Sequence, residues 1–527
     1  MNQAWRHLKQ RPLAVVTGAS AIASLLLMTT AGTVSASPFP EHVHAKTVTP
    51  IKHVVVIFDE NISFDHYFGT YPHAKNPPGV PQFHAAPGTP TVNGLSGPLL
   101  THNPNGVNPQ RLNRSQEVTA DMDHSYQAEQ AAYDGGKVDK FVSSTGHGNK
   151  LVMDYYDGNT VTGLWNYAQH YAMNDNSFGT VMGPTLPGHL NLISGQTTGV
   201  KVYSSNSTTG KAVQLQPGEP GYPQGAIVNN TMVGNINPYF DKASTGKTAE
   251  MTGKNIGNLL NAKGVTWGWF IGGFRNTSET HKNYAGASVK DYAWPFTDPF
   301  QFYKSTSNPN HLPPSSPEMI GHTDQANHQY DLTDFWTAVA SRNLPSVSFL
   351  KPPAGWSGHA GVSSPLDEQQ WIVNTINGLQ QSPQWKNTAV IINYDDSDGW
   401  YDHVMPPIVT NSHNPNRLGY GPRLPLLVIS PYAKKNFVDN TLTDQTSITK
   451  FIENNWKLGR IGGTSMDSVA GTLDNMFNFS RPHERKLFLS PSTGEPENPY
   501  AAYGQFYTWL RSLYADAGVQ MPRREVR

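Results

Sequence analysis

The sequence predicts an α/β protein built on a largely parallel sheet with helices over both faces. Three observations carry this expectation. Short, continuous apolar runs rich in Val, Ile or aromatic residues recur at 53–58, 264–271, 345–350, 388–394 and 424–430. The segments between them include stretches whose apolar residues repeat at helical spacing. Strands that lack polar alternation need cover on both sides, and the crossover helices of a parallel sheet provide it.

Ahead of the first strand, Arg6, Lys9 and Arg11 form a positive region, and Ala21 to Met28 reads AIASLLLM. Small residues at Val34 and Ala36 then precede Ser37. This order predicts a secretory signal peptide over 1–36, with export to a periplasm or the medium. The apolar core is too short and too interrupted by Thr and Ser for a spanning helix. Residues 37–50 read as a linker and 51–527 as one domain. Stretches 70–115 and 200–250, rich in Gly, Pro, Asn, Ser and Thr, are expected as loops or small β insertions. Helices are predicted from Leu164 (LWNYAQHYAMND), from Leu366 (LDEQQWIVNTINGLQQS) and from Asp444 (DQTSITKFIENNW).

Composition narrows the chemistry. The chain has no cysteine, which removes disulfides and thiolate metal sites together. Charged residues make up 15% and the formal net charge is −1, so a polyanionic partner such as nucleic acid is not expected.

Two strand candidates end in the same way. VVVIF, from Val54 to Phe58, runs into Asp59, Glu60 and Asn61 and then Ser63, Asp65 and His66. Ala389 to Ile392 runs toward Asp395, Asp396 and Asp398. Functional groups of α/β proteins gather beyond the carboxyl ends of the strands. Glu60, Asn61, Asp395 and Asp396 would form an oxygen-rich site for a divalent cation, because three packed carboxylates without one would repel. The bland alternative is that these acids cap helices or sit in solvated turns.

A third stretch, NSFGTVMGPTLPGHLNLISGQT from Asn176, sets Thr185 on a tight turn before a helix expected to start near Pro187. Such a start offers backbone N–H groups to an anion. Thr185 is either a metal-activated nucleophile or merely the N-cap. His124 and His359 lie in polar, Gly- or Asp-marked stretches, where each could contact phosphate oxygens, protonate a leaving group or simply face solvent. The same holds for His66, His189 and His403. Asp402 and His403 are adjacent, so their side chains need not form a dyad.

Five stretches together resemble the bacterial phosphoesterase family of phosphatidylcholine-type phospholipases C and acid phosphatases, within the alkaline-phosphatase-like superfamily. They are ENISFDHYFG at 60–69, GPTLPGHLNLISG at 183–195, GHAGVSSPLDEQ at 358–369, YDDSDGWYDHV at 394–404 and GYGPRLPLLVISPYAK from Gly419. The resemblance runs in order from about residue 51 to about residue 480. It implies a three-layer α/β/α fold and a divalent metal, of open identity, on Glu60, Asn61, Asp395 and Asp396. It implies Thr185 as the hydroxyl nucleophile, its oxygen also meeting the metal, with His124 and His359 at the phosphate. The implied activity is phospholipase C cleavage of phospholipid diesters through a phosphothreonine, with transient contact at a membrane surface. Acid-phosphatase action on soluble monoesters is the alternative, and an exported binding protein without catalysis is the rival from another class. One departure stands out. The family pattern has a His pair before a PFQYY-like stretch, where this chain reads WPFTDPFQFY, with Phe296 and Thr297 in those places.

Overall fold

The computed structural model describes residues 45–409, 419–483 and 486–522. The signal-peptide segment 1–36 and linker residues 37–44 lie outside them. The described residues belong to one compact unit, and no helix among them is long and apolar enough to cross a membrane.

An eight-stranded sheet organises the molecule. In chain order its strands are β1 (His53–Asp59), β2 (Ala172–Asn174), β3 (Trp267–Ile271), β4 (Gln329–Asp331), β5 (Val347–Lys351), β6 (Thr388–Tyr394), β7 (Leu426–Ile429) and β8 (Phe437–Asp439). In space they run β4-β3-β5-β1-β6-β7-β2-β8. β7 is antiparallel to both neighbours, and every other adjacent pair is parallel. β1 is central, pairing Ile57 with Leu350 of β5 on one side and with Ile392 of β6 on the other. All seven of its residues are buried, as its unbroken apolar run requires. Burying one such Val or Ile contributes about 1.5–3 kcal/mol over leaving it in water.

Side chains alternate across the sheet, and this alternation separates the two helical layers. Phe58 meets the His189 ring edge-on at 4.9 Å, on the face of helix Thr185–Ser194. Asp59, the next residue, turns to the opposite face, beneath Glu368 of helix Pro365–Gln381. In β3, Trp267 donates to Asn261 of helix Ile256–Ala262 at 2.7 Å, whereas Phe270 packs on Phe335 of helix Leu332–Ala340. Helix Gln445–Trp456 packs beside the Thr185 helix, and helix Pro499–Asp516 beside the Pro365 helix. The architecture is therefore three-layer α/β/α.

All five expected strands form, with shifted ends. The run 264–271 is strand only from Trp267, and 424–430 only from Leu426 to Ile429. The helix expected from Leu164 is corrected. It spans Thr162–His170, and Ala172–Asn174 leaves it to join the sheet as β2. The 200–250 stretch contains the four strands of a small sheet, Val200–Tyr203, Gln214–Leu215, Asn237–Pro238 and Thr248–Met251. A separate two-stranded hairpin, Thr280–Lys282 with Ser288–Lys290, follows β3.

Candidate active site

The parallel strands β5, β1 and β6 end at one edge of the sheet. They bring Lys351, Glu60 with Asn61, and Asp395 with Asp396 to neighbouring positions. β7 runs the other way, so Arg423, just before its start, comes to the same edge.

The two acidic tips are joined directly. The Asn61 amide donates to Asp395 Oδ1 at 3.0 Å, and Asn61 Nδ2 donates to Asp398 Oδ1 at 3.0 Å. Asn61 (φ 63°) and Asp398 (φ 54°) are both left-handed, a conformation that Asn and Asp tolerate better than most residues. Glu60, His189 and Asp395 each offer one donor atom within 4.8 Å of the others. Asp396 neighbours this group and feels the charge of Glu60. Its Oδ1 accepts the Asp398 amide at 2.7 Å.

The electrostatics suits a cation. Glu60, Asp395, Asp396 and Asp398 are no more than 4% exposed. Lys351 Nζ is the nearest fixed positive charge, 2.5 Å from Glu60 Oε1. Burial pushes the Glu60 carboxyl up, but Lys351, with His359 and His189, holds it below the usual range. Asp395 is pushed well above that range, first by burial and then by Asp396 and Glu60. Burial does the same to Asp396. Glu60 Oε2, Asn61 Oδ1, Asp395 Oδ2 and Asp396 Oδ2 are all buried without a hydrogen-bond partner. One unpartnered oxygen from each of these four residues is a donor set that fits a divalent ion.

Thr185 is the first residue of its helix, and Pro184 precedes it as the cap. Thr185 is therefore not the N-cap, and the helix starts near Pro187, as expected. Gly188 lets this helix reach the site, since a Cβ there would stand 2.1 Å from the Asp395 carbonyl oxygen. His189, one turn after Thr185, keeps Nδ1 2.9 Å from the Thr185 carbonyl and 3.7 Å from Asp395 Oδ2. Burial lowers its imidazole to about 3, so the ring is neutral near pH 7. Part of the helix start is already occupied. Leu186 N–H donates to Asn235 Oδ1 at 2.9 Å, Pro187 has no N–H, and Gly183 N–H donates to Glu129 Oε2 at 2.8 Å.

The two candidate histidines converge, their ring centres 6.5 Å apart. His359 Nε2 lies 3.3 Å from Asn61 Nδ2 and 3.9 Å from Glu60 Oε2, and its Nδ1 is 2.8 Å from the Ala360 carbonyl. His124 Nδ1 is 2.8 Å from the Met122 carbonyl and 3.3 Å from Asp398 Oδ1. Trp294 stacks on His359 at 4.9 Å. Directly after it, Pro295–Thr297 packs on the Thr185 helix, and the Thr297 hydroxyl donates to the Trp294 carbonyl.

His66 and His403 lie outside this group. His66 stacks on Trp400 at 3.9 Å with Nδ1 on the Asp154 carbonyl. His403 pairs with Asp65, at 2.5 Å from Nδ1, and not with adjacent Asp402. Arg423, fully buried, grips both acids, Asp65 at 3.0 Å and Asp402 at 2.9 Å. This clamp ties the segment after β1 to the segment after β6.

Sequence reasoning missed Lys351, Glu129 and Trp294. Lys351 ends an apolar strand with no motif around it. Glu129 accepts from the Ser397 hydroxyl at 2.6 Å as well as from Gly183, joining the Thr185 turn to the Asp396 loop across 268 residues.

Residues 51–459 match the Phosphoesterase family. The chain is 23% identical over 513 residues to the non-hemolytic phospholipase C of Pseudomonas aeruginosa, covering 89% of this chain and 64% of that one. It is 25% identical over 486 residues to the non-hemolytic phospholipase C of Burkholderia pseudomallei, covering 84% and 61%. It therefore spans less than two thirds of the length of these two relatives. Among solved structures it is similar to a protein in the alkaline phosphatase superfamily from Vibrio parahaemolyticus, at 11% identity and a TM-score of 0.29, covering 67% of this chain and 81% of that one. With the match spanning most of its length, the chain belongs to the Phosphoesterase family.

Proposed function

We propose that the protein is a metal-dependent phosphoester hydrolase of the phospholipase C type, acting on phospholipid diesters through a phosphothreonine. The observation that carries this reading is the set of four buried, unpartnered oxygens of Glu60, Asn61, Asp395 and Asp396, beside the helix that begins with Thr185. Those residues would hold a divalent cation. Once bound, it supplies Lewis-acid chemistry, lowering the pKa of a hydroxyl and neutralising phosphoryl oxygens.

Thr185 Oγ1, giving up its proton to solvent, attacks phosphorus in line, and the bond from phosphorus to the glycerol oxygen breaks. His359 or His124 delivers a proton to that oxygen as it leaves. Water then attacks the phosphothreonine, releasing the phosphorylated headgroup and restoring the hydroxyl. The two imidazoles flank the position for the phosphoryl oxygens. Lys351 keeps Glu60 ionised and orients it without meeting substrate.

Diester preference is supported by the segment after Trp294. A monoester dianion carries one more charge than a diester and needs more donors. Here Phe296 has none to offer, and the Thr297 hydroxyl is committed to the Trp294 carbonyl. The affinity to the phospholipases C named above supports the same substrate class.

The test compares purified protein on phosphatidylcholine vesicles and on a chromogenic phosphomonoester, with and without chelator, and with Thr185→Val as control. Chelator-sensitive release of phosphocholine that Thr185→Val abolishes is the expected result. Monoester turnover alone would reassign the protein to the acid phosphatases. No turnover of either substrate would overturn the enzymatic reading.

A further inference from the structure

A second cluster of metal-ligating side chains lies at the hairpin that follows β3, sharing no residue with the site above. Glu279, His281 and Asp291 each present one donor atom within 4.8 Å of the others. All three are at least nine-tenths buried, at 7%, 7% and 3% exposure. His281 stands between two acids, with Nδ1 2.5 Å from Asp291 and Nε2 3.1 Å from Asp516 of the C-terminal helix. Yet Glu279 Oε2 and Asp291 Oδ1 are buried with no hydrogen-bond partner.

We propose that Glu279, Asp291 and His281, backed by Asp516, form a structural site for a divalent cation of the zinc or manganese class. Two carboxylates and one imidazole suit such ions better than calcium, which prefers all-oxygen sets. The other ring nitrogen of His281 keeps a carboxylate partner, the arrangement that commonly orients a ligating histidine. Three carboxylates around one imidazole leave excess negative charge, and an ion resolves it.

The position gives the site a purpose. The Asp291 carbonyl accepts the Ala354 amide at 3.1 Å, and Asn283 Nδ2 donates to the Val362 carbonyl at 2.9 Å. The hairpin thus braces both ends of 354–362, the segment that carries His359 and whose Ser357 carbonyl accepts the Glu60 amide at 3.2 Å. An ion at the hairpin base ties this brace to the C-terminal helix.

The experiment measures bound zinc per chain after dialysis against a zinc buffer, together with the melting temperature. Wild type is compared with Glu279→Gln/Asp291→Asn, with Asp395→Asn and with all three changes combined. The expected result is one equivalent fewer in the double variant, one fewer in Asp395→Asn and two fewer in the combination. The double variant should also lose part of the zinc-dependent rise in melting temperature. Failure of the catalytic-site reading would appear separately, as an unchanged count in Asp395→Asn. If the double variant does not fold, Asp516→Asn, at a side chain 43% exposed, serves instead and should weaken zinc binding about tenfold. Wild-type zinc content and affinity in every folded variant of this cluster would overturn the proposal. So would an apo double variant more stable than apo wild type with an unchanged zinc count, which would mark Glu279 as a carboxyl that only carries a proton.

Discussion

The Asn61 amide donates to Asp395 Oδ1 at 3.0 Å across 334 residues of chain. That bond welds the tip of β1 to the tip of β6, and it leaves Asp395 Oδ2 and Asn61 Oδ1 as buried oxygens without partners. Replacing Asp395 by Asn should remove a charge from the proposed cation site while keeping its shape. Hydrolysis should fall by at least about a hundredfold, the scale of losing one well-placed electrostatic stabiliser. Metal analysis of the same sample should show the ion lost. Full activity with chelator present would refute the site.

Trp294 orients His359 by stacking on it and has no proton of its own to give. Trp294→Ala should therefore lower kcat/KM about tenfold for a substrate with a poor leaving group. Little change is expected for a nitrophenyl ester, whose leaving group needs no proton. Equal losses on both substrates would mean that the ring supports binding and not proton delivery.

Glu129 connects the Thr185 turn to the Asp396 loop. Burial pushes its carboxyl up to about 7, from an ordinary value of 4.5. Between those values the folded state holds more protons than the unfolded chain, so this group makes stability fall as pH rises from about 4.5 to about 7. Glu129→Gln should flatten that part of the stability–pH curve, read by denaturant unfolding at half-unit steps. An unchanged slope would place the titration elsewhere.

Among the described residues, Arg423 and His403 are the cations paired with Asp65 and Asp402 in the clamp. Removing Arg423 leaves two buried carboxylates short of a partner. Arg423→Met should destabilise the fold by about 3–5 kcal/mol, measured by guanidinium unfolding. A loss below about 1 kcal/mol would show that His403 alone can satisfy the pair.

Long apolar strands were legible because their signal is local. β1 and β6 are seven-residue runs buried on both faces, and no sequence pattern other than a buried strand suits them at that length. β2, β4 and β8 were not legible. Each has three residues, too few for alternation or a continuous run to show. The end of the Leu164 helix was missed for a related reason: Tyr171 to Asn174 continues an apolar pattern that helix and strand can share, and pairing with β7 and β8 decides between them.

The sheet class and the acidic strand tips at Glu60–Asn61 and Asp395–Asp396 are legible in the sequence. It also put a helix start close to Thr185. All of these are properties of contiguous residues, written in hydrophobicity, turn chemistry and carboxylate spacing. Which groups meet is set by the folded arrangement. It set Lys351 against Glu60, His189 between Glu60 and Asp395, Trp294 on His359, and Arg423 across Asp65 and Asp402. These partners come from separate strands, loops and helices, and burial changes what each can do. A lysine or a glutamate carries no mark in sequence of whether it will face water or an opposing charge in a medium of low polarity. The register of β5, β1 and β6 makes that assignment, and it exists only once the sheet has formed.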